Sequence, residues 1–188
     1  MSALKSLDDF APQFHLSLQS GSDSVLKAMN RHYTRKDYIE KCKKIYEYFP
    51  SAAITTDIIA GFATETEEDF KDSLSIIDEV GFARVHAFCF SPREGTAAFK
   101  LKDLPAQIKQ DRVKRLLAAS KQCSKKFASR FLGYEEQIIA EDLDGEYTGG
   151  YTGNYIKVYV FGKLEAGKKY KVILKQLFKD GVTAEVNG

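Results

Sequence analysis

Three short stretches in the first half of the chain gather polar and glycine residues just after apolar, β-branched runs. They are Gln19-Ser20-Gly21-Ser22, then Asp57 with Gly61, then Ser91-Pro92-Arg93-Glu94-Gly95-Thr96. Any one of them is ordinary turn chemistry. Three in succession, each at the carboxyl end of an expected strand, argue for a ligand site, because parallel α/β folds bind ligands at that end of the sheet. A second constellation lies near the C-terminus. Tyr147, Tyr151, Tyr155 and Tyr159 alternate with Lys157 and Lys163, which pairs stacking platforms with positive charge. Ile156, Val158 and Val160 would pack inward from the same strand, leaving Tyr155, Lys157 and Tyr159 as the outward face. A third is electrostatic. Residues 100–126 hold nine Lys/Arg against two Asp, while the whole chain is only +2. Such a stripe is either a solvated helix face or a surface for phosphates; Lys109, Arg112, Lys114, Arg115, Lys121, Lys125 and Lys126 would carry it.

Other chemistries find no support. Cys42, Cys89 and Cys123 are odd in number and far apart, so neither a disulfide framework nor a metal cluster is expected. His15, His32 and His86 show no nucleophile–histidine–acid spacing, which leaves a complete small α/β enzyme with its own nucleophile poorly supported. No catalytic residue and no metal ligand is assigned.

The elements that must position these residues change character once along the chain. Up to about residue 90 strand and helix alternate. Strands are expected over 15–19, 52–59 and 83–90, the second covered on both faces. Ser22 is placed to cap a short helix, and Thr34 with Asp37 resembles a capping box for a helix ended by Pro50. Thr66 caps another, with Gly81 at its C-terminus. Strand–helix alternation implies a parallel sheet with right-handed crossovers. Pro105 opens a long helix over 105–130, with Ile108, Val113, Leu116, Leu117, Ser120 and Phe127 along one side. Beyond it the period falls to two, over 136–141, 155–161, 169–174 and 182–186, with glycine turns at Gly145, Gly149, Gly150, Gly162, Gly167 and Gly181. Four or five short strands in so few residues suggest a small closed barrel. With 188 residues, 44% hydrophobic and 29% charged, the chain can bury a core and is neither disordered nor collagenous. It has no run long enough for a membrane span and no secretory signal at its start, so a reducing cytoplasm is expected.

The ordered motifs resemble a known family. His15-Leu-Ser-Leu-Gln-Ser-Gly-Ser22 with Val25–Thr34, then Thr56–Phe70, then Phe90-Ser-Pro-Arg-Glu-Gly-Thr96, look like the later strands of the radical S-adenosylmethionine methylthiotransferases. The terminal strands look like that family's TRAM domain. Gly150-Tyr-Thr-Gly-Asn-Tyr-Ile-Lys-Val158 is most similar to the branch acting on threonylcarbamoyladenosine in tRNA. The resemblance implies an incomplete TIM-like parallel barrel over 1–132 and a five-stranded, antiparallel, OB-like RNA-binding barrel over 133–188. It implies a C-terminal part of an enzyme that adds a methylthio group to carbon 2 of a modified adenosine. S-adenosyl-L-methionine would be the cofactor, with tRNA as partner and no membrane. Two [4Fe-4S] clusters would sit in the full-length parent. The family's Cys-x-x-x-Cys-x-x-Cys run does not occur in this sequence, so no cluster and no activity are expected of this stretch alone. Pro-Gly and Pro-Tyr of the family are Ala63-Thr64 and Cys89-Phe90 here.

Carried over residue by residue, Gln19, Ser20, Arg31, Asp57 and Gly61 become the cofactor side, Arg31 offering a fork for a carboxylate. Lys109, Arg112, Arg115, Tyr151, Tyr155 and Lys157 become the RNA side. Each has a plainer reading. Gln19 would hydrogen-bond between strands, Asp57 would cap a turn, and Arg31 would be a surface arginine. A stand-alone RNA-binding module and a relative acting on a ribosomal protein are the competing functions. A three-stranded partial barrel exposes an edge, so self-association is expected, or cover by residues 1–14 through Leu4, Leu7, Phe10 and Phe14.

Overall fold

The computed structural model describes every residue except 2, 3, 5, 8, 9 and 188. The elements are β1 (Gln13–His15), α1 (Asp23–Ala28), α2 (Arg35–Tyr48), β2 (Ala53–Ala60), α3 (Glu67–Val80), β3 (Arg84–Cys89), a 3₁₀ turn (Ala97–Lys100) and α4 (Ala106–Ser129). Then come β4 (Glu135–Asp144), β5 (Tyr147–Thr152), β6 (Lys157–Phe161), β7 (Lys169–Phe178) and β8 (Gly181–Val186). Among the described residues no helix is long and apolar enough to cross a membrane.

The expected half-barrel is present as a three-stranded parallel sheet in the order β1-β2-β3. The first strand runs over Gln13–His15, earlier than the expected 15–19 and sharing only His15 with it. After His15 the chain stays beside β2 through single bonds, Leu16 N–H to Thr55 O and Gln19 N–H to Asp57 O. Helices cover only one face. Ile54, Ile58 and Ala60 of β2 pack with Leu18, Phe70, Ile76, Ile77, Phe82, Val85 and Leu116 in one core. The other face of β2 is covered at its start, where Ala53 and Thr55 are buried, and opens only towards Asp57 and Ile59, so the expected two-sided cover holds for the first half of the strand.

Local signals set the helix ends. Thr34 with Asp37 and Thr66 with Asp69 each form a complete capping box, and Gly81 closes α3 in the left-handed conformation at φ 74°. Ser22 sits at the N-cap of α1 but does not cap it; its hydroxyl donates instead to Asp69 Oδ1 at 2.6 Å, joined by Ser24 at 2.5 Å. Burial pushes the Asp69 carboxyl up, but the hydroxyls of Ser22 and Ser24 and the Thr66 donors outweigh it and hold the pKa well below the usual carboxylate range. A native pKa below the unfolded one gives stability that is present above pH ~4 and lost as pH falls through the lower native value. Asp69→Asn should therefore lower stability at neutral pH by about 1 kcal/mol and flatten the fall between pH 4 and 2. Urea midpoints across that range measure it; parallel curves for the two proteins would contradict it.

The second unit is a closed barrel ordered β4-β5-β6-β8-β7. Its seams are antiparallel except β6–β8, which is parallel. Five is odd, so strict alternation of direction cannot close the ring; one parallel seam is obligatory. The fifth strand is Tyr147–Thr152, where Gly149 and Gly150 suggested a turn. Gly150 belongs in the strand because a Cβ there would stand 2.6 Å from Ile139 O. Ile138, Val158, Val160, Val172, Leu174 and Val182 fill the barrel. Phe127, Ala128 and Phe131 from the end of α4, with Ala53 and Ala83 at the start of the sheet, close its side.

Of the residues expected to cover the edge, Leu4, Phe10 and Phe14 pack on the helix-side core, the two rings meeting Phe49 at 5.2 and 5.6 Å. Leu7 is exposed, and the rest of that expectation falls partly outside the described residues. At the far edge of β3, the Ser120 hydroxyl accepts from Val85 N–H at 2.9 Å and Ser124 donates to Ala83 O at 2.6 Å, so α4 satisfies backbone groups there.

Candidate functional site

Alternation along three adjacent strands builds a polar surface. Side chains of Gln13, His15, Thr55, Asp57, Arg84 and His86 leave the sheet on the face opposite the helices, and register sets His15 beside Thr55 and Asp57 beside His86. Ser17 Oγ donates to Asp57 Oδ2 at 2.8 Å. His15 bonds the same oxygen through Nε2 at 3.0 Å and Thr55 Oγ1 through Nδ1 at 3.0 Å. Gln13 Nε2 donates to Thr55 Oγ1 at 3.3 Å, and the two imidazole rings lie 6.1 Å apart. Burial raises the Asp57 pKa, but the Ser17 and His15 hydrogen bonds and the nearby imidazoles outweigh it, leaving a carboxylate below its usual range. The side chains of His15 and Asp57 keep 42% and 27% of their surface. This is an ionised acceptor flanked by donors on an accessible face, suited to hydroxyl and amine groups of a ligand. Asp57 was expected here; His15 and His86 were not. Their signal was in the sequence, as polar residues at even spacing on strands whose neighbours are apolar.

The other expected cofactor residues gather less well. Gln19 is half-buried at φ 72°, its backbone tied to Asp57 O and Ile59 N–H, so it is the interstrand bridge of the plainer reading. Ser20 is fully buried and serves Ser22 N–H and the Ser73 hydroxyl. It faces no open space. Gly61 (φ 75°) is required by packing, because a Cβ would meet Lys109 Cγ at 2.3 Å. Arg31 is exposed after α1 and forms no ion pair with a described residue. It does not meet Asp57 or Gln19 in hydrogen-bond contact.

The long helix corrects the electrostatic expectation. Lys109 is buried, donating to Phe90 O at 3.1 Å and Asp103 at 2.6 Å. Arg112 is buried against Glu65 at 2.6 Å, and Arg115 bonds Glu67 at 2.9 Å while lying over the Phe70 ring. Arg112 and Arg115 hold α4 to the loop after β2 and to the acidic start of α3, while Lys109 ties it to the end of β3 and to its own lead-in; Lys109 and Arg112 cannot reach a phosphate. Ile108 and Leu117, expected inside, are exposed.

Tyr159 is also corrected. Although β6 alternates as expected, its outward Tyr159 is buried by Tyr147 and Phe178 and bonds Asp180 through its hydroxyl. Tyr151, Tyr155 and Lys157 remain accessible, lining a groove of about 200 Å³ between the barrel and α4 with Arg84, Lys121 and Lys125. None of the five expected cofactor residues lines it.

An iron–sulfur cluster needs converging thiolates. Cys42 and Cys123 are buried in the helix-side core, where burial pushes their thiols up to about 12 and about 11, while Cys89 is exposed on β3. Among the described residues no three His, Cys, Asp or Glu could share a metal. The residues present do not fit such a cluster.

Residues 1–77 match the family model for the Radical SAM superfamily. Over 159 residues the chain is 40% identical to a tRNA-2-methylthio-N(6)-dimethylallyladenosine synthase of Acetivibrio thermocellus, covering 82% of this chain and 33% of that protein. Over 178 residues it is 38% identical to the protein of that name from Thermus thermophilus, covering 93% and 38%. It is 35% identical over 187 residues to a threonylcarbamoyladenosine tRNA methylthiotransferase, MtaB, of Chlamydia pneumoniae, covering 98% and 44%. The chain thus spans well under half the length of these relatives. Among solved structures it is similar in fold to coproporphyrinogen III oxidase (HemN) from Escherichia coli, a radical SAM enzyme, with a TM-score of 0.50 at 22% identity over 62% of this chain and 28% of that one.

Proposed function

We propose, for a chain that belongs to the radical SAM methylthiotransferase family, that it supplies the adenosyl-facing strands and the RNA grip of a tRNA-modifying enzyme. The observation that carries this reading is the accessible Asp57 face on a sheet of radical SAM type, joined through α4 to a closed barrel. S-adenosyl-L-methionine, were it bound, would supply radical chemistry to the full-length enzyme. Asp57 would accept hydrogen bonds from the cofactor, with Ser17 and His15 keeping that carboxylate ionised and Thr55 holding the His15 ring in place. No step through an iron–sulfur cluster is assigned to this chain, and this stretch by itself would be inactive.

The substrate we favour is threonylcarbamoyladenosine, on the Gly150–Val158 stretch and on an alignment to MtaB that takes in 98% of this chain at 35% identity. The more numerous dimethylallyladenosine relatives favour the other adenosine. Nucleoside mass analysis of tRNA from cells lacking this coding sequence separates them. We expect one methylthioadenosine to vanish, its unthiolated parent to accumulate, and the mass of that parent to name the substrate. An unchanged nucleoside profile would refute the reading.

A further inference from the structure

The groove between α4 and the β5–β6 hairpin carries a strained aromatic whose inner side packs on the barrel core and whose ring forms part of the groove wall. Tyr155 stands at φ 65°, a left-handed conformation that a bulky residue rarely adopts and that Gly or Asn takes readily. The turn that imposes it is anchored by the buried side chains of Thr152 and Asn154. Thr152 Oγ1 meets Asn154 Oδ1 at 2.5 Å and accepts from Ile156 N–H at 3.0 Å, and Tyr155 N–H donates to Thr152 O at 3.0 Å. The result is that Tyr155 stacks on Tyr151, with centroids 5.4 Å apart and planes 23° from parallel, at the wall of the groove. Strain kept at one position to present an aromatic face marks a binding role.

Charge supports the same role. Five cations line the groove against one carboxylate, Asp180. Lys157 is partly committed to Asp180 at 3.3 Å. Arg84, Lys121 and Lys125 form no ion pair with a described residue; the two lysines share one helix face at i, i+4 spacing. Arg84 also stands two residues before His86 on the same side of β3, about 7 Å along the strand.

We infer that this groove seats one unstacked base of an RNA loop on the Tyr151–Tyr155 pair, with Lys121, Lys125 and Arg84 on the flanking phosphates. A paired duplex offers no free base face, whereas a loop does. The inference rests on the tRNA reading above and adds where and in what form the RNA is held.

The test uses the full chain with two RNAs, a hairpin whose unpaired loop carries one 2-aminopurine and a blunt duplex of the same stem. Tyr155→Gly should weaken hairpin binding about 10-fold, abolish the aminopurine quenching and leave duplex binding unchanged. The relieved backbone strain opposes the packing lost on the barrel core, so the variant's melting temperature should change little; Tyr155→Asn, which also suits the left-handed backbone, serves as the second variant. Lys121→Gln with Lys125→Gln should weaken both RNAs and reduce the salt dependence. Hairpin binding by Tyr155→Gly equal to that of the unsubstituted chain, or equal loss for hairpin and duplex, would overturn the groove alone. Failure of the unsubstituted chain to bind either RNA would overturn both the groove and the reading beneath it.

Discussion

Replacing Arg112 by alanine is expected to cost about 3–5 kcal/mol of unfolding free energy, because it strands a buried charge. The Glu65 side chain is 0% exposed and that of Arg112 6%. Glu65 Oε1 accepts from Arg112 Nη1 at 2.6 Å and from Gly61 N–H at 2.8 Å, and Arg112 Nη1 also reaches Glu65 O at 3.2 Å. Without the guanidinium, the carboxylate keeps only the amide of Gly61. Burial already pushes the Glu65 pKa up, opposed by Gly61 and Arg112; losing Arg112 would push it further. A native pKa above the unfolded one gives stability that is present at low pH and lost as pH rises through the native value. The deficit of Arg112→Ala should therefore be largest near pH 7 and shrink as the solution is acidified. The pair is not perfectly satisfied, since Glu65 Oε2 and Arg112 Nε have no partner among the described residues. Replacing both, as Glu65→Gln with Arg112→Met, should recover most of the loss. Urea unfolding at several pH values decides it. A single-variant cost below about 0.5 kcal/mol, the size expected of an ordinary surface change, would show that the pair does not hold the loop after β2 to α4.

That ion pair also explains what was legible in the sequence and what was not. The capping box of Thr34 with Asp37 and the Thr66 cap are read correctly because such signals lie within four residues; the reciprocal bond of Asp69 to Thr66 was not read. The facing of α4 is not local. Its period is helical, yet Arg112 and Lys109 turn inward because Glu65 and the Phe90 carbonyl wait there, brought in by the sheet from far along the chain. Ile108 and Leu117 are left outside by the same rotation. The polar face was misread for a similar reason. His15, Asp57 and His86 belong to three different strands, and only parallel register makes them neighbours. Strand β5 escaped because glycine usually breaks strands, whereas Gly150 is there to let β4 approach. Tyr159 obeys the period of two but is covered by Tyr147 and Phe178, which pairing within the sheet does not reveal. The fold class was legible because it depends on which period each segment carries. Of the candidate residues, Asp57 and the Tyr151–Lys157 stretch lie on accessible surface as expected, because one strand or hairpin supplies them together.

Gly181→Ala should be the most damaging single-methyl change in the barrel, at about 3 kcal/mol, the upper end of the range for overpacking a filled site. A Cβ at Gly181 would stand 2.1 Å from Lys157 O and 2.8 Å from its carbonyl carbon. Both are backbone atoms, so a rotamer change cannot relieve the clash; β8 must move away from β6. That seam is the parallel one, paired through Val158–Val182, Tyr159–Thr183 and Val160–Ala184, and the odd strand count makes it indispensable to closure. Moving β8 also opens the core at Val182 and Ala184. Gly149→Ala is the control, because its Cβ would meet nothing closer than 3.5 Å and its φ is not left-handed; it should change stability by less than about 1 kcal/mol, near the cost difference between Gly and other residues in regular structure. Amide hydrogen exchange locates the damage. Protection should fall at Val158, Val160, Val182 and Ala184 in Gly181→Ala while Ile54, Ile58 and Val85 of the parallel sheet keep theirs. Equal stability of the two variants would mean that the seam yields freely. Equal loss of protection in sheet and barrel would mean that the Phe127–Phe131 end of α4 binds the two cores into one cooperative unit.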